Sequence, residues 1–96
     1  MPAYIVSRVN IVNPEAMKQY QAEVGPIVHA FGGKYLMRGT DVEALEGAWE
    51  HQRMVILEFP TREAALAWYH SAEYAPLKAQ RQASGNAVIL LASPPL

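Results

Sequence analysis

Ninety-six residues make one domain, since two separate cores of half that size would each be too small to stand alone. Apolar residues are 51% of the chain and charged residues 18%, so the chain is globular and not disordered. Eight Lys and Arg against nine Asp and Glu leave no electrostatic footprint for nucleic acid or an anionic membrane, and the absence of cysteine excludes disulfides, thiolate catalysis and Cys-based metal sites.

Ala3 to Ile11 reads as a first strand. Asn13-Pro14-Glu15 then starts a helix: Asn caps, Pro suits the first helical position, and Glu15 complements the positive end of the dipole. Ala16, Met17, Tyr20, Val24, Ile27, Val28 and Phe31 recur at helical spacing and form one apolar stripe. Gly25-Pro26 interrupts it, so a kink or a helix in two pieces is expected there. Gly32-Gly33 is the stop. Lys34 to Arg38 is a second strand that Gly39 lets bend, with Asp41 to Gly47 expected to continue it and Val42 and Leu45 as buried points. Gly47 to Gln52 is a turn before a third strand, Arg53 to Phe59.

Thr61 with Glu63 caps the next helix, which carries Ala64 to Tyr69. Ser71 can cap a further helical piece with Tyr74, Leu77, Lys78 and Arg81, which Pro76 allows to settle only after residue 75. Ser84-Gly85-Asn86 is a stop and turn, Ala87 to Ala92 the last strand, and Ser93 to Leu96 a short tail. The order is βαβ twice, an α+β chain on the ferredoxin-like βαββαβ plan with a four-stranded antiparallel sheet. An antiparallel strand with one wet face alternates apolar and polar residues. The third and fourth strands do not: Met54 and Ile56 face one way while Val55, Leu57 and Phe59 face the other. A sheet apolar on both faces predicts a partner subunit, with ~1.5–3 kcal/mol for each such side chain buried.

Several residues carry candidate chemistry. Arg38 offers five fixed donors to a carboxylate or other oxyanion, against the alternative of an ion pair with Glu58. Glu58 is the one charge in an apolar strand and needs a partner or a proton. His70, Ser71 and Tyr74 cluster between two helical pieces, and Arg81 lies two helical turns beyond Tyr74, so those two share a face. His70 suits proton transfer near neutral pH and Tyr74 suits an oxyanion, against a solvated helix end and a packed ring; Ser71 reads as a cap. No Gly-x-Ser-x-Gly elbow accompanies Ser71. His29, His51 and His70 lack metal-ligand spacing. Trp49, Trp68, Tyr69, Tyr35 and Phe59 belong either to an apolar pocket or to core and interface.

Gly33-Lys34-Tyr35-Leu36-Met37-Arg38-Gly39, Leu45-Glu46-Gly47, Arg53 to Pro60, and Trp68-Tyr69-His70-Ser71-Ala72-Glu73-Tyr74 with Arg81 together resemble the DUF1330 family of the dimeric α+β barrel superfamily. The resemblance spans essentially the whole chain. It implies a homodimer with a cleft between sheet and helices, and no particular reaction. Thr40 departs from a second glycine common after the Arg-Gly pair, and Asn10 from a common aspartate.

The expectation is therefore a homodimer with one pocket per subunit for a small carboxylate- or carbonyl-bearing metabolite. Arg38, Ser71 and Arg81 are the candidate binding residues; His70 and Tyr74 are the candidate catalytic ones. Cofactor-independent isomerisation or oxygenation is the chemistry that resembling barrels suggest, and a non-catalytic ligand-binding or structural protein is the rival. No cofactor, metal, nucleic acid or membrane is expected as a partner. The start MPAYIVSRVN has no basic leader before an apolar core, and no apolar run approaches the ~18–20 residues that cross a bilayer, so the default location is the cytoplasm.

Overall fold

A computed structural model describes residues 1–49 and 53–94. β1 (Ala3–Ile11), α1 (Pro14–Ala30), β2 (Lys34–Gly39), β3 (Arg53–Phe59), α2 (Arg62–Tyr69), α3 (Ala75–Ser84) and β4 (Gly85–Ala92) follow in that order. The strands form one antiparallel sheet in the order β2-β3-β1-β4. Helices cover one of its faces, which is the ferredoxin-like α+β arrangement.

Local chemistry sets the element ends. Asn13 Oδ1 accepts the Ala16 N–H at 3.3 Å, and Thr61 Oγ1 accepts the Ala64 N–H at 3.0 Å, each supplying an acceptor to an orphan donor of a first turn. At the end of α1, Gly32 N–H donates to His29 O (3.0 Å) and Gly33 N–H to Val28 O (2.9 Å). This is a paired-bond helix stop, and it needs the left-handed φ of +83° that Gly32 adopts. Gly33 is held for a second reason: a Cβ there would sit 2.6 Å from the Phe59 ring and 2.7 Å from Val28.

Three expectations change. Pro26 does not divide α1, which runs as one helix through it. Ala22 and Pro26 are both exposed, so the hydrogen bond that proline removes lies on the watered side, where solvent can replace it. Asp41 to Gly47 does not extend β2, and Leu45 is 89% exposed. β2 ends where Gly39 pairs with Met54, next to the start of β3, and among the described residues no strand pairs with Asp41 to Gly47. β4 begins at Gly85, two residues earlier than expected, because Asn86 and Gly85 still pair with Asn10 and Ile11. Of the turn expected over Gly47–Gln52, residues 50–52 lie outside the described residues, as do residues 95–96 of the tail.

The sheet has two distinct faces. Ala3, Ile5, Ser7 and Val9 alternate inward along β1, and Leu57 and Phe59 do so along β3. Ile5, Leu57 and Phe59 pack with Val24, Val28, Ala65, Trp68, Tyr74 and Leu77 of the helices into one core. The opposite face carries Tyr4, Val6, Arg8, Met54, Ile56 and Glu58, with Val88 and Leu90 of β4 in register beside Arg8 and Val6. Leu90 there is 50% exposed. That face is the one the sequence predicts to need cover.

Candidate functional site: a cationic cavity between sheet and helices

A β-bulge decides what enters the space between the layers. Tyr35 pairs with Leu57 and Met37 with Ile56, so β2 spends two residues where β3 spends one, and Leu36 is the extra residue. Parity flips across it. Met37 joins the open face with Ile56, while Arg38, opposite Val55, joins the helix side with Tyr35. In an unbroken strand Tyr35 and Arg38, three apart, would face opposite ways. Because of the bulge, the Arg38 guanidinium lies over the Tyr35 ring, 4.8 Å from its centroid.

The cavity runs under the helices across this row. Val9, Val55, Leu57 and Ile89 form its sheet side; Met17, Tyr20, Gln21 and Val24 of α1, Trp68 of α2, and Tyr74 with Arg81 form its helix side. Ser7, Tyr35, Arg38 and Arg53 complete the wall. Room for the centre of a water-sized sphere is about 60 Å³, several times the ~10–15 Å³ that one water requires. The body of the cavity is apolar and its polar groups are few, the usual composition of a small-molecule pocket.

Its electrostatics are one-sided. Arg38, Arg53 and Arg81 are on the wall, and none of the chain's nine acidic residues is among the described lining. Arg81 is buried, at 6% exposure. Its Nε–H donates to the Tyr74 hydroxyl at 3.4 Å, and that hydroxyl is 2.7 Å from the Tyr20 hydroxyl. Burial opposes the Arg81 charge, yet the Tyr74 oxygen and then the Tyr20 and Tyr69 oxygens outweigh it, so the guanidinium is held protonated above its ordinary range. Burial, then the neighbouring Tyr74 oxygen, pushes the Tyr20 hydroxyl well above the tyrosine range. Burial also raises Tyr35, against the opposing pull of Arg38. Tyr20 and Tyr35 are therefore neutral hydrogen-bonding groups and not bases. Arg53 is lowered by burial and then by the like charge of Arg38. The Trp68 Nε1–H is buried with no acceptor among the described residues.

Arg38, Tyr74 and Arg81 thus all line this cavity. Ser71 and His70 do not line it. Ser71 Oγ donates to Trp68 O at 2.8 Å and accepts the Tyr74 N–H at 3.1 Å, which fixes the turn between α2 and α3. That turn delivers Tyr74 to the core at 1% exposure. His70 is the exposed C-cap of α2, its ring edge-on to Tyr69. Glu58 pairs with Lys34 at 3.2 Å on the open face and not with Arg38, which faces the other way. His51 lies outside the described residues, and no group of three metal-binding side chains forms among those described.

Tyr20 and Arg53 carry weight here that sequence reading did not give them. Tyr20 sits mid-stripe in α1, and a phenol there is the one signal that the stripe meets something polar. Arg53 opens an apolar strand, a position that equally suits a solvated strand end.

A domain-family model described as DUF1330, a domain of unknown function, matches residues 2–93. The chain belongs to the DUF1330 family. This DUF1330 chain resembles RPA0582 of Rhodopseudomonas palustris, a protein of unknown function, at 20% identity and TM-score 0.82, over 99% of this chain and 83% of that one. It resembles SnoaB of Streptomyces nogalater, a cofactor-independent oxygenase, at 11% identity and TM-score 0.68, over 99% and 94% of the two chains. A dimeric ferredoxin-like protein of unknown function from Jannaschia matches at 10% identity and TM-score 0.70, over 98% and 100%. At these identities the likeness is one of fold. No curated protein matches the sequence. Among the described residues, no helix is long and apolar enough to cross a membrane.

Proposed function

We propose that this DUF1330 protein is a homodimer whose subunits each hold a small carboxylate- or carbonyl-bearing metabolite in the cavity between sheet and helices. The observation that carries the reading is the charge of the wall: three guanidiniums, one of them buried, with no carboxylate among the described lining. Burial and the like charge of Arg38 both disfavour the charge of Arg53, and an organic anion is the partner that removes that cost. Arg38, Arg53 and Arg81 are the cationic groups available to the ligand's oxygens, Tyr74 and Tyr20 supply hydroxyls beside Arg81, and the unpartnered Trp68 Nε1–H is a further donor. The apolar remainder of the wall suits the hydrocarbon part. Dimeric relatives, and the apolar open face with Val6, Ile56 and Leu90 in register, support pairing sheet to sheet.

Catalysis is the narrower form of this reading. The described lining offers no histidine, lysine, carboxylate or thiol as a general base. What it suits is electrostatic stabilisation of an enolate or phenolate formed from an acidic substrate, the demand that cofactor-independent isomerisation or oxygenation makes of a protein. The rival, a ligand-binding protein without turnover, uses the same wall.

Calorimetric titration with p-toluate, a planar monocarboxylate, tests the binding claim. Saturable binding at low salt is expected, weakened about tenfold in Arg38→Gln with the melting temperature nearly unchanged. Absence of saturable binding at millimolar p-toluate overturns the reading. Incubation with phenolic and enolic acids, with oxygen uptake reporting oxygenation and product analysis reporting isomerisation, then separates enzyme from binder.

A further inference from the structure

The three arginines do not form one cluster. Arg38 and Arg53 stand together beside Tyr35, where β2 meets β3; Arg38 opposes Val55, and the like charge of Arg38 disfavours that of Arg53. Arg81 stands elsewhere. It shares a surface hollow with Ala87 and Ile89 of β4, and its Nε–H donates to the Tyr74 hydroxyl at 3.4 Å. β2 and β4 are opposite edges of the sheet, three strand spacings apart. Arg38 rises from the β2 edge, Arg53 from β3, and Arg81 from α3 beside Ala87 and Ile89 of β4, and the two edges lie roughly 14 Å apart. Between them the sheet presents Val55, Ser7 and Ile89 in one row and Val9 beside it.

Resting on the reading of the cavity as an organic-acid site, we infer that its ligand is a small two-ended anion. One oxyanion meets Arg38 and Arg53, the other meets Arg81 beside Tyr74, and an apolar or planar body lies between. The class is a dicarboxylate, or a carboxylate whose far end is an enolate or phenolate. A single carboxylate covers one pole and leaves the guanidinium charge at the other uncompensated. Two charged ends on one rigid body cover both while losing translational freedom once, so the second contact adds affinity at little further entropic cost.

Terephthalate and p-toluate have the same ring and one carboxylate in common, and differ only in having a carboxylate or a methyl group at the far end. Titrating both into the full-length protein at low salt tests the inference. Terephthalate is expected to bind at least about tenfold more tightly than p-toluate. In Arg38→Gln, on an exposed strand position, the two ligands are expected to fall within about twofold of each other, and Arg53→Gln is expected to do the same if Arg38→Gln does not fold. Equal affinities in the unmodified protein, with p-toluate still bound, overturn the two-pole inference and leave the single-acid reading standing. Failure of both ligands to bind overturns both.

Discussion

On the open face of the sheet, Lys34 meets Glu58 at 3.2 Å and Tyr4 stands cross-strand from the same carboxylate. On the helix face, Arg38 meets the Tyr35 ring, Arg53 stands by Arg38, and Arg81 meets the Tyr74 hydroxyl. One four-stranded sheet thus carries an ion pair and Arg8 in an otherwise apolar surface on one side, and three arginines with no carboxylate among the described lining around a cavity on the other. Hydrophobic burial explains the first face, because apolar area there is gained by covering it. It cannot explain the second. Burial and the neighbouring Arg38 disfavour the Arg53 charge, a cost that an anion between the two would recover. On the proposed reading, one face is an assembly surface and the other a receptor.

The comparison breaks most visibly at Ile56, in the middle of the open face. Ile56→Lys places a charge in a symmetric contact, where each change counts twice. Sedimentation should show the dimer weakened by roughly two orders of magnitude or more. Retention of the dimer would remove the assembly role from that face. Deletion of Leu36 attacks the other face through the backbone. Without the extra residue, Arg38 falls on the open side, and p-toluate affinity should drop at least as far as in Arg38→Gln, about tenfold, in a chain that still gives a β-sheet circular dichroism signature.

Tyr20→Phe probes the hydroxyl chain beneath Arg81. The Tyr20 hydroxyl titrates higher in the fold than the ~10 of an unfolded chain. Its contribution to stability is therefore complete below pH ~10 and is lost as the pH rises above it, because the unfolded chain releases that proton first. Thermal melts should show a shallower alkaline decline in the phenylalanine variant; an unchanged slope would mean that Tyr20 does not feel its surroundings as described. The smallest effect belongs to the ion pair on the open face. Lys34 is 65% exposed in its pair with Glu58, and Lys34→Met should change stability by no more than about 1 kcal/mol while leaving p-toluate affinity unchanged.

Much of the fold was legible because local chemistry and tertiary packing agree. Asn13 and Thr61 cap the helices they precede, Gly32-Gly33 stops α1, and the two apolar faces of β3 separate as alternation dictates. Pro26 misled because a proline breaks a helix only where the freed carbonyl is denied water. Asp41 to Gly47 misled because strand pattern says nothing about whether a partner lies opposite. The cavity was half legible. Arg81 and Tyr74 follow from helical spacing, and Arg38 from its chemistry. Its facing depends on the bulge at Leu36, and Lys-Tyr-Leu-Met-Arg-Gly carries no glycine at that position to announce one. His70 and Ser71 looked chemical because they adjoin Tyr74 in sequence. Adjacent residues in a turn point apart, and Ser71 spends its hydroxyl on the backbone bonds that aim Tyr74 inward.

The receptor claim is tested most directly by following all the arginine Nε–H resonances in one nuclear magnetic resonance titration with p-toluate. Arg38, Arg53 and Arg81 lie on the cavity wall, while Arg8 on the open face and Arg62 beside Ser93 serve as internal controls. Saturable shifts at wall arginines, with Arg8 and Arg62 unmoved, are the predicted result. Shifts of equal size at every arginine, or none at Arg81 and Arg38, would contradict it.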